Sequence, residues 1–319
     1  MIPKYNKQAE YYRRELWRGM CAAPDGDVAI SHICTMQRSG YDICPASEVG
    51  EEILWEAYRP LFESGLDYVQ ILDQNHGGGQ YFCYSRDHGH PPAPGVWMTE
   101  RMQSLLSRWN EAAPDMLFGC ESAAAEPFMG NLLFSDNRFE LNYRMGRALP
   151  LYAYLYHEYL RNFMGNQVSC PMREQDDEAL WYRIAYSFAA GDCMTLVLDQ
   201  DGQIKSRWGR PMTDHVPDQE KILRLVRNLT RFYREQAKPY LFAGRMIPAL
   251  PVECGTLDFL RRSSSTPNRL PAILTTAWEA EDGTRAQILV NPTEAPVPCT
   301  VGGKSVTVPP MDAILLPLN

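Results

Sequence analysis

Apolar residues fall into two rhythms along this chain, and the change between them divides it. Up to about residue 238, compact apolar runs alternate with stretches in which apolar residues recur every three to four positions. The second rhythm predicts helices. One is expected over 5–18 (Tyr5, Ala9, Tyr12, Leu16), stopped by Gly19. Another follows the cap Ser47, with Glu48, Glu51 and Glu52 in its first turn and Val49, Ile53, Ala57 and Leu61 inward. Three more are expected: from Thr99 with Met102, Leu105, Leu106 and Trp109 inward, over 176–190, and from Pro217 to about Gln236. The compact runs at 27–36, 66–73, 115–122, near 132–134, at 149–158 and at 194–199 are expected as buried strands.

Strands alternating with helices imply parallel strands joined by crossovers. The expected fold class is therefore α/β, a (β/α)8 TIM-barrel-like domain over 1–238, incomplete at about six strands. An open doubly wound sheet is the runner-up, but no GxGxxG or GxxxxGK[ST] motif follows any run. From Pro239 on the period turns to alternation, and 11 of the 24 prolines fall in those last 81 residues. Short strands separated by Asp282-Gly283 and Gly302-Gly303 predict a small antiparallel β-sandwich over 239–319.

Several runs end in acids. Asp73 closes the run LDYVQILD, Glu121 closes DMLFGCE, and His157 with Glu158 closes LPLYAYLYHE. On a barrel such positions converge on one catalytic rim. The 48 residues from Asp73 to Glu121 hold one loop, one helix and one strand, which puts the two acids on adjacent strand ends. Cleavage of a glycosidic bond needs two carboxyl groups, one attacking and one protonating the leaving oxygen. Asp73 and Glu121 are the candidates for a retaining mechanism, with Glu126 as the rival acid. Gln74, His76, Tyr84, Arg86, His88 and His90 would line the sugar subsite, and Trp97 would stack on a sugar face.

Composition narrows the partners. A formal charge of -8 without any long basic run argues against nucleic acid. The absence of an apolar leader or an 18-residue apolar span predicts a cytoplasmic protein that neither crosses nor binds a membrane. Nine cysteines, odd in number and without a CxxC pair, point to reduced thiols and to neither a disulfide framework nor a zinc ribbon.

The segments LDYVQILDQNHGGG, CYSRDHGHPP, FGCESAAAEPF and LPLYAYLYHEY, in this order, resemble a family of bacterial glycoside hydrolases with a catalytic barrel and a C-terminal β-sandwich. The resemblance covers roughly 20–238. Family members are longer at the N-terminus, so this chain looks like the C-terminal portion of one. The wider similarity is to retaining α-glycosidase barrels, which implies Asp73 as nucleophile, Glu121 as acid/base and His157 with Glu158 as transition-state contacts. Glu158 stands where that pattern has Asp. A carbohydrate substrate is implied, and no cofactor.

Two other readings stay open. His88-x-His90 with Asp73 and His76 offers nitrogen and oxygen ligands for a zinc-dependent hydrolase. Alternatively, the chain is a non-catalytic or split relic that binds carbohydrate, since six strands leave a barrel seam that a second copy or a companion chain would cover.

Overall fold

The segments 20–32 and 39–44 pair with each other. Met20 bridges Ile43 and Ala22 bridges Val28, and β1 (Ile30–His32) pairs antiparallel with β2 (Ser39–Tyr41). This computed structural model describes residues 15–32, 39–72, 82–137, 148–165, 177–205, 216–261 and 264–318. The helix α1 (Glu48–Phe62) follows at once. Ser47 caps it, its Oγ accepting the Gly50 N–H at 2.8 Å. Close approach here requires glycine: a Cβ on Gly50 would stand 2.1 Å from the Cys44 carbonyl oxygen, and one on Gly19 2.7 Å from the Gly50 nitrogen. The Cys44 turn is thereby pressed against both Gly19 and the start of α1.

The chain separates by its contacts into residues Met1–Ser135 and Asp136–Asn319. In the first unit β3 (Tyr68–Leu72) and β4 (Leu117–Cys120) pair in parallel, and the helix α2 (Val96–Ala112) connects them. The inward stripe of α2 is Met102, Leu105, Leu106 and Trp109, as its period predicts. It packs on Ile71, Leu72 and Phe118, with Leu54, Tyr58 and Phe62 of α1 at the edge. Full burial of side chains this size contributes roughly 1.5–3 kcal/mol each. Tyr58 donates its hydroxyl to the Ile71 carbonyl at 2.9 Å, and Arg108 reaches both Glu51 oxygens at 2.9 and 3.1 Å. These tie α1 to β3 and to α2.

The second unit begins inside β5 (Phe134–Asp136). It carries α3 (Leu151–Tyr156), β6 (Arg161–Phe163), α4 (Asp177–Ala189) and α5 (Gln219–Phe232). A π-helical stretch, Tyr233–Ala237, leads into α6 (Lys238–Leu241). Then come β7 (Arg245–Ile247), β8 (Val252–Cys254), β9 (Thr256–Arg261), β10 (Ser264–Pro271) and β11 (Leu274–Glu279). The chain closes with β12 (Arg285–Asn291), β13 (Val297–Val301), β14 (Lys304–Val308) and β15 (Asp312–Leu318). Strands β15-β12-β11-β7 form one antiparallel sheet and β14-β13-β8 another. Asp282-Gly283 and Gly302-Gly303 turn β11 into β12 and β13 into β14.

Alternation along β12 explains its unbroken burial from Ala286 to Asn291. Ile288 and Val290 join the core that contains Leu180, Ile184, Leu225 and Leu229 of α4 and α5. Leu289 joins Cys299, Val301 and Val308 of the three-stranded sheet. A strand covered on both faces has no polar face to show. Helices that precede Pro239 thus pack on the sheet that follows it.

The expected (β/α)8 barrel is overturned. Among the described residues no sheet exceeds four strands, and the two largest are antiparallel. Two of the runs assigned to barrel strands take other forms. LPLYAYLYHE contains α3, with the Tyr152 and Tyr156 rings 5.1 Å apart at helical spacing. MTLVLD makes one antiparallel bridge, Leu198 to Ile204, because Asp199 Oδ1 accepts the N–H groups of Asp201 and Gln203 and turns the chain back. The open barrel seam, and with it the structural reason for a covering copy or companion chain, is gone as well. Among the described residues no helix is long and apolar enough to cross a membrane. The opening helix expected over 5–18 falls mostly on residues outside those described.

Candidate metal centre

Three cysteines far apart in sequence are the most buried group near the N-terminus. Cys21, Cys44 and Cys83 are all 0% exposed. The hairpin brings the first two together: the Cys21 N–H donates to the Asp42 carbonyl at 2.7 Å, and the Cys44 N–H to the Gly19 carbonyl at 2.9 Å. The third is laid beside them by the next segment, where the Tyr84 N–H donates to the Ala22 carbonyl at 2.9 Å. The Ala22 N–H in turn points at Cys83 Sγ, 3.4 Å away.

Two histidines complete the cluster. Cys83 Sγ lies 3.4 Å from His88 Nδ1, and Cys44 Sγ lies 3.5 Å from His90 Nε2. The donor atoms of Cys44, Cys83, His88 and His90 all fall within 4.8 Å of one another. A tetrahedral zinc ion with Zn–S near 2.3 Å and Zn–N near 2.0–2.1 Å implies S···N edges of roughly 3.6 Å, close to the two distances found. His90 Nδ1 is 2.7 Å from the Pro91 carbonyl oxygen. A carbonyl only accepts, so Nδ1 carries the proton and Nε2 keeps its lone pair toward the cluster, the arrangement of a metal-ligating histidine. The ring is held flat against Trp97, with centroids 3.7 Å apart and an 8° tilt, and Trp97 Nε1 donates to the Ala93 carbonyl at 2.8 Å.

Electrostatics prepare the donors for a cation. Hydrogen bonding with Cys21, then with Cys44, holds the Cys83 thiol well below the usual range, and His88 and the Ala22 N–H add to it. Hydrogen bonding with Cys44 and Cys83 raises His88 to about 10. Cys21 is pushed up by its bonds to Cys44 and Cys83 and by burial. The charge that results is a thiolate beside an imidazolium, and an incoming cation displaces the imidazolium proton. His88 and Cys21 also stand in the wall of a cleft of about 710 Å³, with Ser47, Asp87 and Arg101.

Neither models of known protein families nor curated protein sequences match this chain.

The residues singled out from the sequence separate. His88, His90 and Trp97 come together, but around sulfur, and one face of Trp97 is covered by His90 where a sugar was expected. Tyr84 is half-buried beside them and Arg86 is exposed. Asp73, Gln74 and His76 lie outside the described residues. Glu121 is buried at the end of β4, its N–H donating to the Leu72 carbonyl at 2.9 Å, and Glu126 is exposed. His157 belongs to the second unit and is buried there between the carbonyls of Gly244 and Gly191, at 3.1 and 3.4 Å, with Trp278 edge-on at 4.7 Å. Burial lowers its pKa, as it does for an imidazole kept neutral in a core. Glu158 beside it is exposed.

Sequence reasoning passed over the cysteines because no two stand in a CxxC pair. The usable signal was Cys83-x4-His88-x-His90, three soft or borderline donors within eight residues. Their sulfur partners 39 and 62 residues upstream come close only through the hairpin.

Proposed function

We propose that the N-terminal unit binds one zinc ion through Cys44 Sγ, Cys83 Sγ, His88 Nδ1 and His90 Nε2, and that the ion holds the 82–95 segment onto the paired segments 20–32 and 39–44. The observation that carries this reading is the convergence of four buried or half-buried donors, two of them sulfur, within 4.8 Å of one another. Thiolate and imidazole together select zinc over magnesium or calcium. Four protein donors leave no open position, so the role is structural and no water is activated at the ion. The test is the metal content of protein purified without added metal, which is expected to hold about one zinc per chain. Cys83→Ser should retain less than about a tenth of that, given the weight of a single ligand. A metal-free wild type that also fails to take up zinc would exclude the reading.

A second reading, glycoside hydrolysis, is favoured by one observation at the other end of this unit. Glu121 stands beside Leu72, the residue that precedes Asp73, and is followed by two left-handed residues, Ser122 (φ 75°) and Ala123 (φ 53°). Left-handed backbone outside glycine costs about 1–3 kcal/mol per residue and collects at functional sites. On this reading Asp73→Asn abolishes turnover of activated aryl glycosides, because an amide cannot form the glycosyl ester. Glu121→Gln impairs poor leaving groups far more than activated ones. Equal losses on both substrate types, or unchanged rates for Asp73→Asn, would remove it.

A further inference from the structure

The cluster has one donor more than a tetrahedral ion needs. Cys21 is 0% exposed and packs with Cys44 and Cys83 in one buried group. It is not one of the four mutually closest donors. Its backbone is anchored on both sides, by Cys21 N–H to Asp42 and by Ala29 N–H to the Cys21 carbonyl, both at 2.7 Å. The sulfur is thus held at the edge of the donor set, next to both ligand sulfurs.

Resting on the zinc reading, we propose that Cys21 is a reserve ligand that adapts the site to larger, more thiophilic ions: zinc is bound by two sulfurs, whereas cadmium takes all three. Two properties of the ions decide the difference. Zinc is small and borderline in softness, and the four donors Cys44, Cys83, His88 and His90 satisfy it. Cadmium is larger, needs a wider shell and gains more from each sulfur, so a third thiol already packed against the first two sulfurs enters its shell as the thiolate. On binding, the Cys21 S–H bond breaks, a Cd–S bond forms and the proton passes to buffer; no electrons are transferred. Nothing else must be built, since the sulfur is already desolvated.

The test uses wild-type protein loaded with cobalt(II), as the spectroscopic stand-in for zinc, or with cadmium. Thiolate-to-metal charge-transfer intensity counts the sulfurs on each ion. Two are expected on cobalt and three on cadmium. Cys21→Ser should cut the cadmium band by about a third, leave the cobalt spectrum unchanged and lower the preference for cadmium over zinc by about tenfold. Equal sulfur counts for the two ions in wild type would overturn the proposal, whether the count is two or three, and so would a Cys21→Ser change that lowers both bands alike. That comparison needs no variant to fold. If neither ion binds, the zinc reading itself fails, and this one with it.

Discussion

Chelating the metal should lower the melting temperature of the N-terminal unit by about 10–20 °C. An ion that binds only the folded state, at a free concentration about 1,000 times its Kd, stabilises by about 4 kcal/mol. For a unit of this size each kcal/mol moves the midpoint by roughly 3–5 °C. The region around the ion has little else to hold it. Besides the three cysteines, its cluster consists of Ala22, Ala29, Ala46 and Trp97, which bury far less apolar surface than the layer of α2, β3 and β4. Calorimetry with and without chelator checks the size of the effect. Hydrogen exchange checks its place: the amides of Cys21, Ala29, Cys44 and Tyr84, each paired across this region, should lose protection when the metal is removed. An unchanged midpoint, or protection lost elsewhere and kept here, would count against a structural ion.

The second large effect belongs to the other unit. Asp192 is buried and its carboxylate receives Asn137 Nδ2 at 3.2 and 3.3 Å. Desolvation outweighs the hydrogen bonds from Asn137 and Ser187 and raises its pKa from 3.8 to about 7. Between those two values the folded state holds a proton that the unfolded state has released. Stability therefore falls as pH rises from about 4 to about 7 and levels off above. Three pK units correspond to at most roughly 4 kcal/mol. Asp192→Asn keeps the shape without the charge and should raise stability at pH 8 by about 2–4 kcal/mol, less what a mismatched amide pair loses. It should also flatten the pH dependence over that interval. Urea titrations of both proteins at pH 5 and pH 8 measure it, and a variant less stable than wild type at pH 8 would refute the assignment.

Periodicity carried α2 and α5 well but the strands poorly. It also mis-set the inner face of α1, where Leu54, Tyr58 and Phe62 meet the core and Ala57, of the expected stripe Val49, Ile53, Ala57 and Leu61, is exposed. The stripes Met102, Leu105, Leu106, Trp109 and Ile222, Leu225, Leu229, Phe232 face the cores as their spacing implies. An apolar run of six to ten residues does not distinguish a strand from a buried helical turn, and LPLYAYLYHE went the other way. From the alternation beyond Pro239 one can read antiparallel strands, but not that α4 and α5 cover one face of their sheet, since a strand buried on both sides loses the alternation that marks its partners. The metal centre was half legible. His88-x-His90 is a zinc motif in the sequence, but its neighbours are sulfurs: Cys44 sits where Gly19 and Gly50 let backbones touch, and Cys83 is brought in by the bond from Tyr84 to Ala22.

The most direct measurement of the central claim is X-ray absorption at the zinc edge of the purified protein. Two sulfurs at about 2.3 Å and two nitrogens at about 2.0–2.1 Å are expected, with no water in the shell. A shell of oxygen and nitrogen alone would contradict it.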